Sequence, residues 1–255
     1  MSQITDPAKE IINMCLYLKR IRANPSNQTV CSILEKNFST DICTPYKIMN
    51  IYRERFLEFH EIVEGVQADH LDEEIRKDSI SAAKSLSKLF ELSKMQETWN
   101  QRVSQVISDT NILRVRGISP DLRRNFPLSE LDSEEVEDLK KRVSEYDVYE
   151  NLNGLVPNFA LKATQSGLQD IAVALEFYEL FGSNKILDAV HKSMLDIGAI
   201  ETILKDEDRS RLSGLKELVG TLYSKIQAAN AGVDLAISLG GKWQNLLSLL
   251  SGDSS

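Results

Sequence analysis

The chain has 255 residues, 42% hydrophobic and 27% charged, with a net charge of -8, 12 glycines and 6 prolines. That is long enough for one large domain or two small ones with a sizeable core, and too poor in Gly and Pro for a collagen-like or largely disordered chain. The acidic balance works against duplex DNA binding, which draws on clustered basic charge.

The charge is uneven. Residues 129–150 carry nine acids against three bases, whereas residues 111–128 carry four arginines and one acid. Cys15, Cys31 and Cys43 are odd in number, far apart and set in apolar surroundings such as Met14-Cys15-Leu16. They read as buried reduced thiols, which favours a reducing compartment. The N-terminus lacks the basic start and apolar stretch of a signal peptide. No apolar run approaches the roughly 20 residues of a membrane-spanning helix. The expectation is a cytoplasmic protein with no transmembrane span.

The hydrophobic period is helical nearly throughout. Asp6-Pro7 opens a first helix, since Asp caps free N–H groups and Pro is pre-set for the first helical position. A short helix is expected near 27–37. Thr44-Pro45 opens the next by the same device. In it Met49, Tyr52, Phe56, Phe59, Val63 and Val66 alternate at spacings of three and four, a heptad seam. A further helix is expected over 71–108, carrying Ile75, Leu86, Leu89, Phe90, Trp99, Val103 and Val106.

Residues 111–132 hold Gly117, Pro120, Pro127 and four arginines, and read as a connector. A short strand is suggested by the alternation at 113–116. Helix resumes at Asp132-Ser133 with Val136, Leu139, Val143 and Tyr146 inward. Pro157 opens a helix expected to reach Phe181, with Gly182 as its C-cap and Ser183 capping the next. The last seam runs from Leu212 through Leu215, Val219, Leu222, Ile226, Ala229, Val233, Ala236, Gly240, Trp243 and Leu247 to Leu250. As one continuous helix it would be about 60 Å long, with Gly240-Gly241 its expected kink.

The expected fold is therefore all-α: an elongated antiparallel helical bundle with long heptad-patterned helices. It divides into an N-terminal helical lobe (1–110), the Arg/Pro-containing connector (111–132) and a C-terminal helical lobe (133–255) ending in a long helix.

Four features invite a functional reading. His60 and Glu64 share a helix face at i, i+4, a spacing that suits a metal, and Glu61 lies beside them. A di-iron bundle needs Glu-x-x-His pairs on two helices, but Gln67 follows Glu64 at that spacing. A solvated helix end is the simpler reading, so no metal or cofactor is expected. Arg114, Arg116, Arg123 and Arg124 read either as an anion or acidic-partner site or as the ionic counterpart of the acidic stretch 129–150; the second is favoured. Ala228, Gly232, Ala236 and Gly240 form a ridge of small residues that lets another backbone approach closely, either as tight packing inside the bundle, which is favoured, or as an interaction surface that Trp243 extends. The amphipathic stretch 226–251 is also compatible with a membrane surface. Finally, the glycine-rich phosphate loops and the Gly-x-Ser-x-Gly elbow are absent.

Long helices with a Gly/Ala-rich amphipathic segment are shared by helical scaffold proteins and by α-helical pore-forming toxins. The leading expectation is a non-enzymatic interaction or scaffold protein, an adaptor or subunit of a larger assembly. It would act through coiled-coil-like packing, with a protein partner or self-association and without nucleic acid. A membrane-acting, pore-forming effector is the alternative, and a metal-dependent all-α hydrolase the third reading.

Overall fold

A computed structural model describes residues 4–21, 27–65 and 72–227. The protein is all-α: twelve α-helices and two strands of two residues each, β1 (Ile4–Thr5) and β2 (Leu128–Ser129), occur among the described residues. The chain divides into two compact units. The N-terminal unit comprises Thr5–Pro127 together with Glu179–Gly182, and the C-terminal unit takes Ile4, Leu128–Tyr178 and residues 183–227 of the described chain.

The N-terminal unit is built on α1 (Pro7–Arg20), which buries Ala8, Ile11, Ile12, Cys15 and Leu18. Asp6 caps it as the sequence predicts: its side chain accepts from the Lys9 N–H at 2.9 Å, with Pro7 in the first turn. The next two elements are α2 (Val30–Phe38) and α3 (Pro45–Gly65). The α3 seam is buried at Tyr52, Phe56, Phe59 and Val63 as expected, and Ile48 and Ile51 join it. Arg55 is buried too, which periodicity alone does not suggest.

The single helix expected over 71–108 is broken. It consists of α4 (Glu73–Leu86), 3-10 turns at Ser87–Phe90 and Leu92–Lys94, and α5 (Trp99–Val106). The break has a physical cause. Trp99 N–H donates to the Gln28 carbonyl and Val30 N–H to the Glu97 carbonyl, so residues 97–99 run beside 28–30 instead of continuing a helix. Arg102 then closes the turn, donating to the carbonyls of Leu89 at 3.3 Å and of Lys88. The turn also brings Phe90 onto Tyr52 (ring centroids 4.7 Å) and toward Trp99 (6.4 Å). Both polar handles are satisfied: Tyr52 Oη donates to the Leu86 carbonyl at 2.8 Å and Trp99 Nε1 to the Ile21 carbonyl at 2.9 Å.

Residues 109–125 are helical, not a loop, and no strand forms at 113–116. They make α6 (Asp109–Gly117) and α7 (Ser119–Asn125). The breaker residues mark helix ends: Gly117 closes α6 and Pro120 sits in the first turn of α7. Ser108 supplies the cap of α6, accepting from the Asn111 N–H at 3.2 Å.

The C-terminal unit contains α8 (Ser133–Glu145), α9 (Val148–Leu152), α10 (Asn158–Glu176), α11 (Tyr178–Ile203) apart from its Glu179–Gly182 stretch, a 3-10 segment (Asp206–Leu212) and α12 (Ser213–Ile226). Asp132 and Glu135 form a reciprocal capping box on α8. The apolar cluster draws on every helix, including Leu139, Leu152, Ile171, Leu175, Ile186, Val190, Ile197, Leu215, Leu222 and Ile226. Tyr178 Oη accepts from the Leu131 N–H at 2.7 Å, and Ser183 Oγ donates to the Ser129 carbonyl at 2.5 Å.

Two helix ends differ from expectation. The helix from Pro157 stops at Phe177, five residues before Gly182, and Gly182 instead breaks α11 with φ 74° and ψ -172°. The final seam is buried at Leu212, Leu215, Val219, Leu222 and Ile226, but α12 ends there. Gln227 is extended (ψ 120°) and bridges Leu128 in antiparallel fashion, so the helix does not run unbroken from Leu212 onward. Positions 228–250 of that seam lie outside the described residues.

Within the N-terminal unit, Arg55 and Glu10 form an ion pair of 3.1 Å, their side chains only 2% and 3% exposed. Gly182 packs on the same carboxyl: a Cβ there would stand 2.6 Å from Glu10 Cδ. Two outcomes are expected in urea unfolding. Arg55→Met removes the guanidinium from the buried Glu10 carboxyl and lowers stability by about 3–5 kcal/mol, and adding Glu10→Gln recovers part of that loss. Gly182→Ala adds a clash to a backbone region that only glycine populates freely and costs at least about 1–3 kcal/mol.

Candidate functional site

Of the sequence-predicted residues, Arg123 and Arg124 of α7 make the most defined site, which Arg114 and Arg116 of α6 do not line. Asp6 lies against Arg123. It is fully buried, and its Oδ2 accepts three hydrogen bonds: from Ser119 Oγ at 2.8 Å and from Arg123 Nε and Nη2 at 3.2 Å each. A buried carboxylate needs that many donors to offset its lost hydration. The effect on Arg123 is to fix its guanidinium edge-on to α1. Arg114 lies 3.5 Å from Asp78 on α4, and the Arg114 carbonyl accepts from Ser79 Oγ at 2.9 Å. The acids that pair with Arg114 and Arg123 thus come from their own unit. Arg116 and Arg124 are exposed and make no ion pair among the described residues.

Ser119, Pro120, Arg123 and Arg124 line an open recess of about 370 Å³. They stand at i, i+1, i+4 and i+5 on α7, so two adjacent rows of the helix converge on one space. Sequence inspection finds the arginines but not Ser119 or Asp6. Asp6 reads locally as a helix cap, and nothing near it in the chain announces a partner 117 positions away.

The carboxylate region is a helix surface. His60 Nε2 lies 3.5 Å from Glu64 Oε1, and Glu61 and Glu64 are both exposed. No group of three or more His, Cys, Asp or Glu side chains suited to a metal occurs among the described residues. His70, also in this acidic stretch, lies outside them, as do Ala228, Gly232, Ala236, Gly240 and Trp243 of the small-residue ridge. No helix of the described residues is long and apolar enough to cross a membrane.

Other reactive groups are dispersed. Burial pushes the Cys15 thiol up to about 12, with Lys19 opposing, so almost none is thiolate at neutral pH. All three cysteines are free thiols; Cys15 and Cys43 are buried as expected, whereas Cys31 is only half-buried. In the C-terminal unit burial lowers the His191 pKa, and that ring lies 5.8 Å from Tyr223. Ser193 is buried, and its hydroxyl has no hydrogen-bond partner among the described residues. It is no nucleophile for His191: two residues apart on a helix, the side chains point about 200° apart. Nearby, burial raises the Asp196 carboxyl above its usual range, with Lys192 opposing.

No protein family, curated protein or solved structure matches this chain.

Glu61 and Glu64 are exposed on the helix surface, and the expectation that they hold no metal can be tested directly. Glu61→Gln with Glu64→Gln should leave bound metal, measured by elemental analysis of the purified protein, at the parent's level. Stability should stay within about 0.5 kcal/mol. A drop in stoichiometric metal with the helical spectrum intact would return this region to the list of sites.

Proposed function

We propose that the protein is a non-enzymatic helical interaction protein, an adaptor or subunit of a larger assembly, that engages a protein partner through exposed helix faces. The observation that supports this most directly is the outer stripe of α3. Tyr46 and Leu57 are 64% and 56% exposed, and Asn50 and Arg53 between them are exposed as well. At 100° per residue these four positions fall within about 60° of one another. They form one continuous stripe, opposite a face that buries Ile48, Tyr52, Phe56 and Phe59.

Isolated exposed apolar residues are ordinary on any surface. Here two large ones, Tyr46 and Leu57, lie with Arg53 along one exposed stripe of a 21-residue helix, and an exposed helix face is a surface on which a partner can dock. Tyr and Arg also rank among the side chains that contribute most at interfaces. The opposite face is anchored in the core, so α3 offers the stripe without an ordering cost.

The proposal includes the finer features expected from the sequence: an elongated antiparallel arrangement of the helices, coiled-coil-like contacts, and self-association through Ala228, Gly232, Ala236 and Gly240. It also includes residence in the cytoplasm, which three free thiols suit.

The test is a Tyr46→Ala, Leu57→Ala double variant. Its melting temperature and helical spectrum should match the parent's. Its light-scattering mass in native extract should fall to that of the unassociated chain while the parent stays in the heavier species. An unchanged mass would remove α3 as the docking face. Vesicle leakage by the parent, kept by the double variant, would favour the membrane-acting alternative.

A further inference from the structure

The recess on α7 combines a pinned cation, an uncommitted cation and an apolar wall. Asp6 uses two N–H groups of Arg123, through Nε and Nη2. A guanidinium carries five donors, so three remain, on Nη1 and on the outer side of Nη2. Asp6 is itself immobile, because Oδ1 is taken by the Lys9 N–H and Oδ2 also by Ser119 Oγ. Arg123 is thus held in one orientation before any ligand arrives, which lowers the entropy cost of binding. The Arg124 side chain forms no ion pair or hydrogen bond among the described residues.

The charges of Arg123, Arg124 and Asp6 sum to one net positive charge at the recess, with Asp121 of α7 outside its lining. The lining holds no carboxylate among the described residues. An anion is the ligand that this charge selects.

Oxygen count narrows the class. A carboxylate presents two oxygens in one plane, which one guanidinium fork engages side by side. A phosphoryl group presents three strong acceptor oxygens and more negative charge, and it can span two guanidinium groups. The space narrows it further. About 370 Å³ is at the lower end of the roughly 300–1,000 Å³ of small-molecule sites, and a bare phosphate ion leaves most of it unfilled. Pro120 contributes an apolar ring with no N–H, a surface for the organic part of an ester.

We propose that this recess binds a small phosphomonoester, with its phosphoryl group between Arg123 and Arg124 and its organic part against Pro120. The site is independent of partner docking on α3, so loss of either leaves the other.

The experiment is calorimetric titration of the full chain with glycerol 1-phosphate, inorganic phosphate, glycerol and acetate. Arg124→Ala is the principal variant, because Arg124 holds nothing in the fold. Glycerol 1-phosphate should bind the parent, at least tenfold more weakly in Arg124→Ala, with unchanged melting temperature. Binding should also weaken from 50 to 200 mM salt. Glycerol and acetate should bind at least tenfold more weakly than the ester. Arg123→Lys keeps the charge and loses the fork, and it should weaken the ester as well. Undetectable binding of both phosphates to the parent, equal binding in Arg124→Ala, or acetate matching the ester would each overturn the proposal. Inorganic phosphate binding as tightly as the ester would overturn the assignment of the organic part to Pro120.

Discussion

Helix α1 buries two carboxylates one turn apart, and the N-terminal unit is organised by the need to satisfy them. Asp6 and Glu10 are 0% and 4% exposed. An ionised carboxylate out of water is strongly unfavourable unless several donors meet it. Asp6 meets the Lys9 N–H, Ser119 Oγ and Arg123; Glu10 meets Arg55. These contacts join α1 to α7 and to α3 at fixed points. The apolar cluster around Tyr52, Phe90 and Trp99 supplies cohesion, but oily surfaces slide, and directional ion pairs set the register between helices. Gly182 belongs to the same arrangement, since only a residue without Cβ fits against the Glu10 carboxyl.

The C-terminal unit is held differently. Its cluster of buried aliphatic side chains spans all of its helices, and its directional contacts lie mainly at the ends of elements: the Asp132–Glu135 capping box, the Leu131–Tyr178 and Ser129–Ser183 hydrogen bonds, and the Lys225–Glu135 pair at 3.1 Å. Where α10 and α11 meet, Gly167 lies against Ser193, so close that a Cβ would come within 2.8 Å of its hydroxyl. That approach is a product of small residues rather than of charge.

The two surfaces given a functional reading follow from these constraints. Arg123 is spent on Asp6, so it is oriented rather than free, and its neighbour Arg124 is left without a counter-ion. On α3 the inward face carries the aromatic core and the buried Arg55, while the outward face is released for Tyr46, Arg53 and Leu57. In both cases a well-anchored inner face makes a rigid outer one, which is the physical requirement for specific recognition.

What the sequence determined by itself is local. Helical class follows from hydrophobic period, and the helix starts at Asp6-Pro7, Thr44-Pro45 and Asp132-Ser133 follow from side chains reaching N–H groups two or three residues on. The seams of α3 and α12 were legible for the same reason. Tertiary structure decided what depends on partners distant in the chain. The helix expected over 71–108 breaks because residues 97–99 pair with 28–30, and α12 stops because Gln227 bridges Leu128. Gly117 and Pro120 were legible as breaks, yet whether they bounded a loop or two short helices rested on packing of those helices against α1 and α4. The recess is the clearest case. Its arginines stand in plain view in the sequence, but the buried acid that orients one of them is 117 positions away, and only folding sets an ionic contact at that range.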